Sequence, residues 1–305
     1  MSEKLGFIGL GVMGGNMCRH IIKSGGYDLT VNDSDPAKAA EIAALGATAA
    51  SLAELAAGNK VIAASLPNPA IVRKVFTGPG GVIDHAQPGT IIIDLSTVDS
   101  DTSKAVSAAL AEKGITYVDT PVSGGKFDSL KGSLTLIIGA EEHELASIRP
   151  LLELLSSSMH FAGSRGAGST IKLVNNVISM GVTLVTAEAF VLGCKAGVDG
   201  GTLFNILQHC GGRSLRMTKR FPTVLEGDYS PRFTVDLAEK DLSLAMDLAH
   251  NLKVPMMMAS LCHDFFLMTS KSGRGELDAT AVVQFLETLA DTKVRGKATV
   301  DPKYG

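Results

Sequence analysis

Near the start of the chain, Gly9-Leu10-Gly11-Val12-Met13-Gly14 follows an apolar, strand-forming run at 5–8 and leads straight into a helical segment. A G-x-G-x-x-G set between a strand and a helix leaves few folds open, because each glycine answers a different need of a bound dinucleotide. Gly9 permits a tight turn, Gly11 lets the backbone approach a pyrophosphate, and Gly14 lets the helix lie close on the strand, with the phosphate at the helix N-terminus. Leu10, Val12 and Met13 complete the cofactor loop. Nineteen residues beyond Gly14, at the end of the second apolar run, stands Asp33, a carboxylate suited to an adenine-ribose diol. NAD is therefore expected in preference to NADP: a 2′-phosphate would meet a like charge, and neither Asn32 nor Ser34 supplies an arginine. Lys38 reads as a solvated lysine on a helix face.

The same alternation continues for about 160 residues. Short apolar runs at 5–8, 29–32, 61–65, 91–95, 116–119, 134–138 and 159–161 are separated by Ala-rich helical segments bounded by Gly, Pro, Asp or Ser. This is the pattern of βαβ units wound into a parallel sheet, a doubly wound α/β fold of Rossmann type. After Gly168 the strand signals stop and helical segments follow one another, at 169–196, 200–209, 215–225, 235–252, 256–271 and 279–289. The expected organisation is a NAD-binding α/β domain over 1–163, an all-helical substrate and oligomerisation domain over 164–295, and a loose polar tail over 296–305.

With 305 residues, 45% of them hydrophobic, the chain can bury a large core. A formal net charge of −3 without a basic cluster argues against a nucleic-acid partner. Cys18, Cys194, Cys210 and Cys262 lack any metal-ligand or disulfide spacing, so neither a metal site nor a disulfide framework is expected. The first apolar run begins by Leu5, leaving no room for a leader, and a cytoplasmic protein is expected. The stretch 173–194 contains no Lys or Arg and has the length of a membrane span, but Asn175, Asn176 and Glu188 are costly in lipid. A helix buried between domains or subunits is expected there instead.

Three further segments carry chemistry. Asp94-Leu95-Ser96-Thr97 and Asp119-Thr120-Pro121-Val122-Ser123-Gly124-Gly125 fall at the C-terminal ends of strands, where open α/β sheets bind ligands. Backbone N–H groups in a Ser-Gly-Gly turn can converge on an anion, so Ser123, Gly124 and Gly125 are candidates for a substrate carboxylate. In Gly168-Ser169-Thr170-Ile171-Lys172-Leu173-Val174-Asn175-Asn176, helical spacing puts Lys172 and Asn176 on one face and turns Asn175 away. A lysine within so apolar a helix is the expected acid/base group. Partial desolvation would bring its proton affinity toward neutrality, and Asn176 would hydrogen-bond the substrate hydroxyl or hold the lysine.

Together with the glycine loop, these segments resemble the 3-hydroxyisobutyrate dehydrogenase family over nearly the whole chain. The resemblance implies a NAD-dependent enzyme that moves a hydride between NAD and a small 3-hydroxycarboxylic acid, with Lys172 as general acid/base and no metal. It also implies that Leu66 and Pro67 line the cofactor, that Thr97 touches it, and that Lys240 of the Lys240-Asp241-Leu242 element lies beside the nicotinamide. A plain reading makes Lys240 and Asp241 a charged helix face. A homodimer or homotetramer is implied, with apolar segments such as 173–194 and the Met-rich 254–268 as contact surface.

Lys126-Phe127-Asp128-Ser129, after the Ser-Gly-Gly turn, departs from the smaller residues usual in the family. Lys126 either adds a cation for a second acidic group, as in 2-(hydroxymethyl)glutarate, or points to water. The segments 65–68 and Gly212-Arg213-Ser214 resemble hydroxymethylglutarate dehydrogenases, and Arg213 is a candidate for a distal carboxylate. A decarboxylating 6-phosphogluconate-type dehydrogenase would carry a His three residues after the lysine, where this chain has Asn175. The remaining alternative is a non-catalytic nucleotide-binding module, against which Lys172 and Asn176 argue.

Overall fold

Six parallel strands organise the first part of the chain: β1 (Glu3–Ile8), β2 (Tyr27–Asn32), β3 (Thr48–Ala49), β4 (Val61–Ala64), β5 (Ile91–Asp94) and β6 (Thr116–Asp119), in the spatial order β3-β2-β1-β4-β5-β6. Successive side chains of a strand point to opposite faces, and here both faces are covered. Phe7, Ala63, Ile93 and Val118 enter one hydrophobic cluster, while Ile8, Ile62, Ile92 and Tyr117 enter another. That double burial is why these strands read as continuous apolar runs rather than as alternating patterns. The computed structural model describes residues 2–303, and the chain divides into two compact units, 1–173 and 174–305.

The runs at 134–138 and 159–161 do form strands but leave the parallel sheet. β7 (Val122–Ser123), β8 (Leu134–Ile138) and β9 (Ser156–Phe161) make a separate three-stranded sheet in which β7 and β8 are antiparallel and β8 and β9 parallel. The cause is the segment after β6. The chain passes Pro121, and Gly124 takes a φ of +135°, a conformation an L side chain rarely adopts. It then reverses through the short helix Lys126–Lys131. Apolar periodicity fixes the existence of a strand, but it does not name its partner.

In the second unit helix follows helix: Gly200–Leu207, Leu215–Glu226, Val235–Asn251, Met257–Thr269 and Val282–Ala290, after the long helix Ala167–Lys195 that enters it. Phe190, Phe204, Phe221 and Phe266 are fully buried in its core, with the rings of Phe190 and Phe221 4.8 Å apart. The segment expected to be a loose tail is tied down. Arg295 O accepts from Gly200 N–H, Thr299 N–H donates to Asn205 Oδ1, and Gln208 binds both Thr299 O and Asp301 N–H. Aperiodic sequence does not reveal backbone satisfied by side-chain amides of a distant helix. Tyr304 and Gly305 of the expected tail lie outside the described residues.

The Ala167–Lys195 helix is long and apolar enough to cross a membrane by length and composition alone. Ile171, Val174, Ile178, Val185 and Leu192 are exposed along it, at the spacing of one helical stripe.

Candidate active site

In the first unit, the three glycines of the loop occupy three different environments. Gly9 has a φ of +88°, and a β-carbon there would stand 2.3 Å from Ser65 O. A β-carbon on Gly14 would stand 2.0 Å from Gly9 O, so the helix Val12–Ser24 lies against the strand end only because residue 14 has none. A β-carbon on Gly11 would meet no protein atom within 4 Å. Packing does not demand glycine at that position, whereas the close approach of a phosphate does. Gly11 is also the helix N-cap and makes no side-chain cap, so the helix start suits an anion. Leu10 is buried, Met13 half-buried and Val12 exposed.

Asp33, half-buried at the end of β2, accepts from Leu10 N–H through Oδ2 at 2.6 Å and from Asp35 N–H through Oδ1 at 2.8 Å. The carboxylate thus ties the glycine loop to the second strand, and its remaining lone pairs suit a ribose hydroxyl. Lys38 is exposed. These residues fit a dinucleotide.

The loops after β4 and β5 are joined through a buried acid. Leu66 N–H donates to Ser96 Oγ at 2.8 Å, Ser96 N–H donates to Asp94 Oδ1 at 3.0 Å, and Tyr117 OH donates to Asp94 Oδ2 at 2.7 Å. Burial pushes the Asp94 carboxyl above the usual range, against the hydrogen bonds from Ser96 and Tyr117. The chain holds Leu66, Pro67 and Thr97 in two neighbouring loops, with Leu66 and Thr97 half-buried and Pro67 exposed.

Ser123 ends β7, and Gly124 and Gly125 make the reversal that follows. Of the N–H groups expected to gather on an anion, that of Gly125 is engaged by Asp128 Oδ2 at 2.6 Å. The Lys126 ammonium sits 5.3 Å from the centre of the exposed Phe127 ring. Lys172 lies in the second turn of the Ala167–Lys195 helix and is half-buried. One turn further on is Asn176, only 5% exposed, while Asn175 is exposed, as the spacing required.

Within the second unit, Asn176 Nδ2 donates to Asp241 Oδ2 at 2.6 Å, and Asn175 Nδ2 donates to Asn176 Oδ1 at 3.1 Å. Lys240 Nζ is 2.9 Å from Asp241 Oδ1. Asp241 is 2% exposed and joins Asn176 to Lys240, two of the residues singled out in this half of the chain. The plain reading of residues 240 and 241 as a solvated charged pair therefore fails for Asp241. Arg213 is exposed. Among the described residues no group of three or more His, Cys, Asp or Glu side chains is placed to hold a metal.

Five buried carboxylates among the described residues were not singled out for a role by sequence reasoning: Asp94, Asp119, Asp241, Asp278 and Glu287. Two of them, Asp94 and Asp119, end neighbouring parallel strands in register. An aspartate that closes an apolar strand run is the signal that points to these two.

Residues 4–163 match a family profile described as the NAD binding domain of 6-phosphogluconate dehydrogenase, and residues 166–286 match one described as NAD-binding of NADP-dependent 3-hydroxyisobutyrate dehydrogenase. The chain is 37% identical to 2-(hydroxymethyl)glutarate dehydrogenase of Eubacterium barkeri over 298 residues, 97% of this chain and 98% of that protein. It is 34% identical to mitochondrial 3-hydroxyisobutyrate dehydrogenase of Mus musculus over 290 residues, 92% of this chain and 86% of that one. A solved structure of Mycobacterium tuberculosis 3-hydroxyisobutyrate dehydrogenase with L-serine superposes with a TM-score of 0.86 at 29% identity, covering 94% of this chain and 99% of that one.

Proposed function

The chain belongs to the 3-hydroxyisobutyrate dehydrogenase family of NAD(P)-binding hydroxyacid dehydrogenases, and from that premise we propose that it transfers a hydride between NAD and a small 3-hydroxycarboxylic acid with Lys172 as general acid/base. The observation that carries this reading is the pair on the long helix: a half-buried lysine with a buried asparagine one turn on. In alcohol oxidation the C–H bond breaks with its electron pair while the O–H proton goes to a base. Bound NAD supplies the hydride acceptor. Lys172 Nζ takes the hydroxyl proton in oxidation and returns it in reduction. Asn176, its amide oriented by Asp241, hydrogen-bonds the substrate oxygen and so fixes the reacting carbon. Ser123 and Gly124, with Gly125 shaping the turn, receive the substrate carboxylate.

The glycine loop, with Leu66, Pro67, Thr97 and Lys240, holds the cofactor in this reading. Asp33 supports NAD over NADP, since its carboxylate stands at the end of β2 and no arginine adjoins it in sequence. The relatives act, by their names, on different acids, 2-(hydroxymethyl)glutarate and 3-hydroxyisobutyrate, and both belong on the candidate substrate list. Lys126, occupied with Phe127, offers little support for a second acidic group on the substrate.

The exposed apolar stripe on the Ala167–Lys195 helix, and Met257, Met258 and Leu261 on the Met257–Thr269 helix, support a homodimer or homotetramer as the working species. All four cysteines are free, in keeping with a cytoplasmic protein.

The test is NADH and NADPH formation over a panel of 3-hydroxyacids, with Lys172→Ala beside the wild type. The reading predicts turnover with NAD on at least one acid and its loss in Lys172→Ala, with NAD binding retained. Undiminished turnover in that variant removes Lys172 from the chemistry.

A further inference from the structure

Asp119 has no part in the chemistry assigned above, yet it is among the most constrained side chains in the first unit. It closes β6, is 1% exposed, and accepts three backbone N–H groups. Its Oδ1 takes Gly166 N–H at 2.8 Å, its Oδ2 takes Ser169 N–H at 2.8 Å, and its carbonyl takes Gly139 N–H at 2.8 Å. The two side-chain bonds bracket the start of the Ala167–Lys195 helix, across 47 and 50 residues of chain. Asp119 does from a strand end what an N-cap residue does from just before a helix.

Space has been cleared for this carboxylate. A β-carbon on Gly139 would stand 2.1 Å from Asp119 Oδ1, and one on Gly168 would stand 2.5 Å from Ile137 O and 3.0 Å from Asp119 Oδ2. A serine or asparagine cap would satisfy one donor without burying a charge. Only a carboxylate offers two acceptor oxygens to two N–H groups about one turn apart, and that pair of bonds fixes both the axial position and the rotation of the helix start. Ser103 Oγ adds a third tie at 2.8 Å from Ser169 Oγ. Lys172 follows Ser169 by three residues, a rise of about 4.5 Å. Four residues after Asp119 comes Ser123, with Gly124 and Gly125 beyond it.

We propose that Asp119 is a positioning residue that locks the register of the Lys172 helix against the strand leading into the Ser123-Gly124-Gly125 turn, so that acid/base group and substrate turn are held at one spacing. The inference rests on the reading of Lys172 as the acid/base group. A rotation of the helix start by one residue would swing Lys172 by about 100°, and misplacement of a reacting group by about 1 Å costs on the order of 100-fold in rate.

The experiment is a double-mutant cycle of Asp119→Asn and Lys172→Ala, with NADH fluorescence titration giving the cofactor Kd and the fraction of competent protein for each variant. In Asp119→Asn one acceptor becomes an amide N–H facing Ser169 N–H. The expected result is a fall in kcat of about 10- to 100-fold per competent molecule, with the NADH Kd changed less than about twofold. On the Lys172→Ala background, the same substitution should lower the residual rate less than about twofold. Gly139→Ala, which displaces the carboxylate without removing it, should repeat the kcat effect and serves if Asp119→Asn does not fold. An equal fall on both backgrounds, or a fall explained by lost NADH-competent protein, overturns the proposal. Full turnover in Lys172→Ala alone would instead overturn the assignment of Lys172, a result distinguishable from the failure of Asp119.

Discussion

Asn176 and Asp241, 65 residues apart in sequence, meet as a buried hydrogen bond of 2.6 Å between Nδ2 and Oδ2. Because a carboxylate only accepts, Asp241 dictates which end of the amide faces it and leaves Asn176 Oδ1 turned toward Asn175. Its second oxygen holds Lys240 at 2.9 Å. One acid therefore holds both the Asn176 amide and the Lys240 ammonium.

Replacing Asp241 by Asn keeps an acceptor for Asn176 but sets an amide N–H against the Lys240 ammonium. We expect kcat/KM to fall about 10-fold or more, KM for NAD to rise, and stability to drop by about 1.5–3 kcal/mol, the range for hydrogen bonds to charged groups. Lys240 is partly exposed, so the full cost of an unpaired buried charge does not apply. Steady-state kinetics with both substrates varied, together with thermal melts, check this. Unchanged NAD kinetics would detach Lys240 from the cofactor.

The loop tie of Asp33 and its proposed part in coenzyme choice are separable. Its Oδ2 ties Leu10 N–H, so a replacement without an acceptor there loosens the glycine loop. Asp33→Asn should retain that tie through its amide oxygen while losing the charge and the bond from Asp35 N–H, raising KM for NAD modestly. Asp33→Arg should lose the tie and gain a partner for a 2′-phosphate. The ratio of kcat/KM for NADP over NAD is expected to rise about 100-fold or more, a shift of about 2.7 kcal/mol. An unmoved ratio would place coenzyme choice elsewhere in the loop.

Much of this arrangement was legible before any coordinates. The placement of the glycine loop, of Asp33 and of the i, i+4 pair Lys172 and Asn176 is legible because it depends on spacing within one turn or one βαβ unit. The burial of Asp241 and Asp119 is different. Each is an ordinary acid in its own segment and gains its role from partners 65, 47 and 50 residues away, which local periodicity cannot express. The second sheet escaped for the same reason, since β8 reads as a strand whichever neighbour it pairs with. The tail escaped because Asn205 and Gln208 satisfy its backbone without imposing any pattern on it.

Asp94 offers a pH test. Burial holds its carboxyl above the usual range, so the folded state favours the protonated form. Stability from this group is then fully present below the ordinary carboxylate range and is lost as pH rises through the raised value. Asp94→Asn is nearly isosteric and can satisfy both neighbours, its Oδ1 accepting from Ser96 N–H and its Nδ2 donating to Tyr117 Oη. The variant should therefore gain stability relative to wild type at neutral and alkaline pH, with the difference shrinking as pH falls. Melting curves over a pH series decide it, and a difference independent of pH would mean that Asp94 does not titrate in the folded protein.

The two glycines Gly11 and Gly14 separate folding from binding within a single loop. An alanine at 14 places its β-carbon 2.0 Å from Gly9 O, a backbone atom that cannot swing aside, so helix and strand must part. Overpacking of this kind costs about 1–3 kcal/mol or more, and Gly14→Ala should lower both the melting temperature and the yield of folded protein. An alanine at 11 meets nothing within 4 Å, and its backbone φ of −60° suits any residue. Its stability cost is limited to the weaker N-cap, at most about 1 kcal/mol. What it fills is the approach to the helix N-terminus where a pyrophosphate would sit, so Gly11→Ala should fold normally and bind NADH at least about 10-fold more weakly. Fluorescence titration of NADH into the folded variant measures this directly. Wild-type affinity in Gly11→Ala would move the phosphate away from the loop and undo the cofactor geometry argued for this unit.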